Sequence, residues 1–293
     1  MTKSIVITGV SGFIGSHVAR EAMRRGYNIT GVDRRRDARP EGFQFIEADI
    51  RDRDRMMQLI EGKDCVLHLA AVTSNVEFMA TPADCYDINV NGFLNILHAA
   101  AETGCKRLVY ASSAAVYEDD FAEDAVLDFK QPRNHYAKSK MMNEMMAQSY
   151  ADLYDLRTTG LRYFNVYGNG ENEKGDYASI VTIFLRAKKH GEPLVVYGDG
   201  TQARDLINAT DAASITLDLL EKGTSHLYNV GTGVSTAYSR IAEMIGDKRA
   251  ITYVPNPLSS YQLFTRAETT RLNKALSNYR FLPLERGIER IRV

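Results

Sequence analysis

The chain predicts a doubly wound α/β fold with a smaller lobe in its C-terminal part. Three observations lead there. Short β-branched apolar runs alternate with helical patterns as far as Tyr163, which is the signature of βαβ units and a parallel sheet. A glycine-rich turn, Thr8-Gly-Val-Ser-Gly-Phe-Ile-Gly15, sits between the first run and the first helical stretch. After Tyr163 the regular alternation gives way to segments punctuated by glycine and proline.

Taken in order, strands are expected at 4–8, 28–33, 44–47, 65–69, 107–111 and 158–163, and helices at 12–25, 53–60, 83–103 and 134–154. Residues 169–176 are polar and glycine-rich and read as a loop. A helix over 178–190, a strand over 194–197 and the turn Gly198-Asp-Gly200 follow, and Pro255-Asn-Pro257 breaks the chain before a last helical stretch. This predicts a cofactor domain of residues 1–164 plus about 206–231, and a substrate lobe of 165–205 and 232–293.

The bulk properties exclude several classes. The 293 residues suffice for one large α/β unit or two closely joined lobes. A net charge of −1 gives no electrostatic case for nucleic acid or an anionic membrane. Cys65, Cys85 and Cys105 lack C-x-x-C spacing and read as buried, reduced thiols. The six histidines are dispersed without metal-ligand spacing, so no metal is expected. Met1-Thr-Lys-Ser leads straight into Ile5-Val-Ile without a signal peptide, and no apolar stretch nears the ~18 residues of a membrane span. A cytoplasmic protein is expected.

The glycine turn proposes a dinucleotide. In Gly9-x-x-Gly12-x-x-Gly15 the first glycine permits the tight turn, the second lets backbone approach a pyrophosphate, and the third allows close helix–strand packing. Gly9, Gly12, Phe13, Ile14 and Gly15 are the expected phosphate-side contacts. Asp33 ends the second strand, where its carboxylate can accept from the adenosine ribose diol and so favours NAD over NADP. Arg34-Arg-Arg36 and Arg39 read as a solvated loop face, though guanidinium groups also suit a 2′-phosphate; NAD is expected and NADP stays open. Asp49, next to Ile50, either meets the adenine amino group or caps the helix starting near Asp52. Leu69, Ala70 and Ala71 lie at a strand's C-terminal end, where cofactors pass and where an ordinary tight junction looks the same.

Tyr136-x-x-x-Lys140 proposes the chemistry. Residues four apart share a helix face, so the Lys140 ammonium is expected to lower the Tyr136 phenol from its usual pKa near 10. A phenol so tuned takes a proton from a substrate hydroxyl while hydride leaves the same carbon for a nicotinamide. Ser112-Ser113 ends the strand before it, and a hydroxyl there can share the substrate oxygen; strand register decides which serine does so. Arg204 suits bidentate phosphate recognition, the alternative being a surface pair with Asp205.

Eight motifs follow one another in order: Thr8-Gly-x-x-Gly-x-x-Gly15, Asp49-Ile50, His68-Leu-Ala-Ala71, Asn89-Val-Asn-Gly92, Ser112-Ser-Ala-Ala-Val-Tyr117, Tyr136-x-x-x-Lys140, Arg162-Tyr-Phe-Asn-Val-Tyr-Gly168 and Gly198-Asp-Gly-x-Gln-x-Arg-Asp205. Together they resemble the extended short-chain dehydrogenase/reductases, in particular the nucleotide-sugar epimerase/dehydratase family, over nearly the whole chain. The resemblance implies a Rossmann-type sheet with NAD bound. It implies a Ser113, Tyr136 and Lys140 triad, Asn89 in the active-site hydrogen-bond network, and Tyr163 on the cofactor. Asn165 and Arg204 would hold a sugar-nucleotide diphosphate.

Ala114-Ala115 stand where 4,6-dehydratases of that family carry an acid/base pair, which disfavours dehydration; the absence of a cysteine beyond Cys105 disfavours a Cys/His reductase-epimerase. Gly198-Asp-Gly-Thr-Gln-Ala-Arg-Asp205 looks like the UDP-hexose 4-epimerases. Lys174-Gly175, Tyr253-x-Pro-x-Pro257 and Tyr261-Gln-x-Phe-Thr265 look like the ADP-heptose 6-epimerases, which makes Lys174 a further substrate-site candidate. A UDP-hexose 4-epimerase is the expectation. Met141, Met142, Met145 and Met146 form i,i+4 pairs on the Tyr136/Lys140 helix, a stripe typical of core or interface; with the family's helical bundle between subunits they lead to an expected homodimer.

Overall fold

The computed structural model describes residues 3–35, 41–117, 121–123, 134–171, 175, 178–224, 226–257, 262–277 and 279–293. Its centre is a seven-stranded, all-parallel sheet. In chain order the strands are β1 (Ser4–Thr8), β2 (Asn28–Asp33), β3 (Gln44–Glu47), β4 (Cys65–His68), β5 (Arg107–Ser113), β6 (Arg157–Tyr163) and, later, β10 (Leu227–Val230). They lie in the order β10-β6-β5-β4-β1-β2-β3. The strand order reverses between β1 and β4, which opens a crevice at the C-terminal ends of these strands.

The two faces explain the unbroken apolar runs. Ile5 and Ile7 point into a core built with α1 (Phe13–Arg24) and α8 (Ala209–Lys222). Val6 points the other way, toward α2 (Arg53–Ile60), α5 (Gly92–Glu102) and α6 (His135–Tyr154). A strand buried on both faces needs apolar residues at successive positions.

The expected single helix over 83–103 is three pieces: α4 (Pro82–Tyr86), a π-helical turn (Asp87–Asn91) and α5. The wider turn is a local adjustment of a kind that collects at functional sites, and here it holds the buried Asn89. A helix not anticipated, α3 (Asn75–Ala80), precedes it; Ser74 caps it by accepting from the Glu77 N–H at 3.2 Å. The Ser-x-x-Glu spacing was a readable start signal.

Beyond β6, α7 (Ile180–His190), α9 (Tyr238–Ile245) and α11 (Leu284–Glu289) enclose a separate small core. They pack with β7 (Asn165–Tyr167), β9 (Ala203–Asn208) and β11 (Ser235–Ala237), which form a three-stranded sheet, and with the parallel pair β8 (Leu194–Tyr197) and β12 (Ile251–Val254). Residues 209–230 return to the large sheet: α8 lies on α1 and β10 extends the sheet past β6. The last major helix of that region is α10 (Thr270–Leu276). None of the helices among the described residues is long and apolar enough to cross a membrane.

Candidate active site

The glycine turn closes around β1. Gly9 has φ +71°, and a Cβ there would lie 2.5 Å from the Ala70 nitrogen, so both conformation and space demand glycine. A Cβ on Gly15 would sit 2.0 Å from the Gly9 carbonyl oxygen; its absence lets α1 start flush against the turn. Gly12 is the N-cap of α1 and supplies no side-chain cap, leaving the helix's first N–H groups to a ligand. Ile14 turns into the core beneath.

Gly9, Gly12, Phe13, Asp33, Arg34, Asp49, Ile50, Leu69, Ala70 and Ala71 line one cleft of about 790 Å³. Asp33 is fixed at its rim: its carboxylate accepts from the Ser11 N–H at 3.0 Å and the Arg34 N–H at 2.8 Å. Arg34 lies 3.9 Å from Asp49. Asp49 is not the cap of α2; Asp52 is, accepting from the Arg55 N–H at 3.0 Å. The Arg51 guanidinium grips the Asp49 carboxylate at 2.7 Å, and that bond holds its pKa below the usual range. A carboxylate at the end of β2, an exposed helix N-terminus and a glycine cradle fit a dinucleotide. Arg36 and Arg39 lie outside the described residues, as does Lys174.

Ser113, Tyr136 and Lys140 are brought together beside this cleft rather than in its wall. Register settles the serines. Ser112 donates to Glu144 at 2.5 Å in the buried interior, whereas Ser113 hydrogen-bonds the Tyr136 phenol and accepts from the Ala115 N–H at 3.1 Å. Lys140 is 1 % exposed; its ammonium donates to the Ala111 carbonyl at 2.8 Å and stands 5.8 Å from the centre of the Tyr136 ring. Burial brings its pKa down to about 8, with Glu144 opposing.

The tuning expected from sequence is not what the structure gives. Burial raises the Tyr136 pKa, and the Ser113 hydrogen bond only partly offsets it. The ammonium is spent on a backbone carbonyl and meets the ring, not the phenol oxygen, so it does not supply the expected depression. A neighbouring neutral imidazole completes the setting: His68 bonds Thr8 Oγ1 at 2.8 Å and stacks on Phe93, and burial first, then Lys140, takes its pKa to about 3.

Asn89 connects cleft to triad. Its amide accepts from the Val72 N–H at 2.8 Å, donates to the Val72 carbonyl at 2.9 Å and donates to Ser139 at 3.1 Å. Those bonds occupy its side chain, so it positions the segment after Ala71 against α6 and is not in the cleft wall. Tyr163 departs further from expectation. It shares the inward face of β6 with Leu161, is buried on α8, and bonds Thr216 at 2.6 Å, which turns the phenol away from the cleft.

Sequence reasoning passed over the buried support of α6. Arg162 and Glu144 form a two-armed ion pair at 2.8 and 2.7 Å, and Arg162 also donates to Tyr117 at 2.7 Å. Tyr117 in turn donates to Asn229 at 2.7 Å. Glu144 stands four residues after Lys140, so its place on the same helix face was readable from spacing; its partner across the sheet was not.

In the smaller lobe, Asn165 donates to the Asp205 carbonyl at 3.2 Å and to Thr265 at 3.1 Å. Arg204 does not pair with Asp205, because consecutive strand residues face opposite sides. Its guanidinium lies 5.5 Å over the Tyr238 ring and donates to the Ala203 and Gln262 carbonyls. Asp205 is buried and accepts from the Thr232, Gly233 and Ala267 N–H groups at 2.8, 2.8 and 3.0 Å. Among the described residues no cluster of three or more His, Cys, Asp or Glu is placed to hold a metal.

A parallel sheet of this order, with a phosphate-ready turn and a cleft at its switch point, defines a dinucleotide-dependent α/β enzyme. Residues 5–231 match the model of the NAD dependent epimerase/dehydratase family, and the chain belongs to that family. It is 33% identical over 259 residues to the UDP-N-acetyl-alpha-D-glucosaminuronate decarboxylase of Bacillus cytotoxicus, covering 84% of this chain and 80% of that protein. It is 30% identical over 307 residues to the ADP-L-glycero-D-manno-heptose-6-epimerase of Alkalilimnicola ehrlichii, covering 97% and 95%. The fold is similar, with a TM-score of 0.82 and 27% identity, to the UDP-glucose 4-epimerase of Thermus thermophilus in complex with NAD, covering 98% of this chain and 97% of that one. The chain is an NAD-dependent enzyme of the nucleotide-sugar epimerase/dehydratase family.

Proposed function

We propose that the protein is a UDP-hexose 4-epimerase of the UDP-glucose/UDP-galactose type, working in the cytoplasm as a homodimer. In this reading residues 1–164 and about 206–231 hold NAD, and 165–205 with 232–293 hold the nucleotide sugar. The observation that carries it is the Ser113–Tyr136 hydrogen bond beside the buried Lys140, followed directly by Ala114 and Ala115. Such a site handles the proton of one hydroxyl and has no adjacent acid/base pair for eliminating water.

NAD, when bound, supplies reversible hydride acceptance. Tyr136 takes the proton of the sugar O4 as that carbon is oxidised and returns it when the carbon is reduced. Ser113 shares the same oxygen and stabilises its developing charge. Lys140 faces the Tyr136 ring and holds the cofactor's ribose side. Arg204 and Asn165 hold the diphosphate, so that the 4-keto sugar turns about a fixed tether and is reduced on its other face; Lys174 is a further substrate-site candidate. Asp33 accepts from the adenosine ribose, and Asp49 receives the adenine edge.

A second reading, a heptose 6-epimerase, is favoured by the near full-length similarity to the Alkalilimnicola enzyme. Incubation with UDP-glucose, UDP-N-acetylglucosamine, UDP-glucuronate and ADP-heptose, resolved by chromatography, separates the two. The 4-epimerase reading expects inversion of a UDP-hexose; epimerisation of ADP-heptose alone overturns it in favour of the second.

A further inference from the structure

We propose that His17 and Asn169 are positioning residues that clamp the outer wall of the cofactor cleft and set how long NAD stays bound; this rests on the reading that the cleft holds NAD. The wall opposite the glycine turn is not part of the large sheet. It is the turn after β7, and Asn169 ties it to α1. The carbonyl of Asn169 accepts from His17 Nε2 at 2.8 Å. A carbonyl only accepts, so that nitrogen carries the proton.

The Asn169 side chain reaches the opposite way. Its Nδ2 donates to the Arg290 carbonyl at 3.2 Å, and its Oδ1 accepts from the Arg292 N–H at 2.7 Å. One residue therefore ties α1, the turn and the segment after α11 together. That segment is itself seated, since α11 meets β7 where Gly287 leaves room for the Tyr167 hydroxyl; a Cβ there would lie 1.9 Å from it.

Phe13 sits under the strap, edge-on to His17 with ring centres 5.5 Å apart, and a Cβ on Gly170 would lie 3.9 Å from its ring. Phe13, His17, Asn169 and Gly170 all line the cleft. A dinucleotide lying across Gly12 leaves sideways when this wall opens, and the His17–Asn169 hydrogen bond between wall and helix must then break. Burial lowers the His17 pKa, which keeps the ring neutral near pH 7 without removing the donor.

The test is the rate at which full-length protein, loaded with NAD, releases it after dilution into NAD-free buffer, read by rapid gel filtration. His17→Phe removes the bond to the Asn169 carbonyl and is expected to speed release about tenfold, the scale of one lost hydrogen bond; Asn169→Ala keeps that carbonyl but removes both side-chain bonds to the segment after α11, and is expected to speed release at least as much. His17→Gln keeps an N–H donor and is expected to restore slow release. Asn169→Asp keeps the acceptor for Arg292 but loses the donor to Arg290, and carries the test if the alanine variant does not fold. Equal release rates from the folded variants and the unsubstituted protein overturn the clamp while leaving the cleft reading intact. Failure of the unsubstituted protein to bind NAD overturns both.

Discussion

Tyr136 is buried without a compensating charge on its oxygen, so burial alone makes it a poor base. Only the Ser113 hydrogen bond opposes that burial, and a bound nicotinamide would add positive charge beside the phenol. Tyr136→Phe is expected to abolish turnover while NAD binding, measured by calorimetry, stays close to that of the unsubstituted protein. Lys140 loses its proton as pH rises through about 8, so the pH–rate profile is expected to descend above about 8, and Lys140→Met is expected to lower the rate and remove that descending limb. His68 gives an independent signature in stability. Its pKa is about 3 when folded, against 6.5 ordinarily. Below pH 6.5 the unfolded chain takes up a proton that the native state refuses, so stability is full above 6.5 and falls as pH drops toward 3. Thermal melts between pH 7.5 and 5 check this, and His68→Phe is expected to flatten that slope.

At the level of elements, the catalytic helix α6 is secured by charge. Glu144 and Arg162 are 7% and 3% exposed at their side chains, and removing one member strands the other in a dry interior. Glu144→Ala is expected to cost about 3–5 kcal/mol in denaturant unfolding, well above the cost of a typical surface change. The first half of the sheet was legible in the sequence because its strands need apolar residues on both faces and its turns need glycine. The glycine turn, Asp33 and the Tyr136/Lys140 pair were legible for the same reason: local spacing encodes them. What was not legible depended on partners far along the chain. The inward face of Tyr163 follows from α8 packing on that side of β6, and the direction of Ser112 follows from Glu144. The strands β7, β9 and β11 went unread: β7 and β11 are three residues long, and β9 carries Arg204, Asp205 and Asn208 among its buried positions in place of an apolar run.

Over the whole molecule, the methionine stripe divides. Met141 packs inward, while Met142 and Met145 are 41% and 56% exposed on α6, and Leu94 of the neighbouring α5 is 38% exposed. An apolar face on paired helices is a surface that a second copy would cover, and the proposed homodimer uses it. Met145→Lys is expected to shift the protein from dimer to monomer in light scattering; an unchanged mass in a folded variant places the interface elsewhere. All three cysteines are buried and free, and burial raises the Cys65 pKa to about 11.

In the proposed reaction one carbon, C4 of a nucleotide hexose, is oxidised and then reduced by the same hydride in a site built on Tyr136. The most direct measurement is the fate of deuterium in UDP-glucose labelled at C4, followed by NMR in ordinary water. The expected product is UDP-galactose that retains the deuterium at C4, with no accumulation of reduced cofactor. Loss of the label to solvent, or consumption of the substrate without inversion at C4, would contradict it.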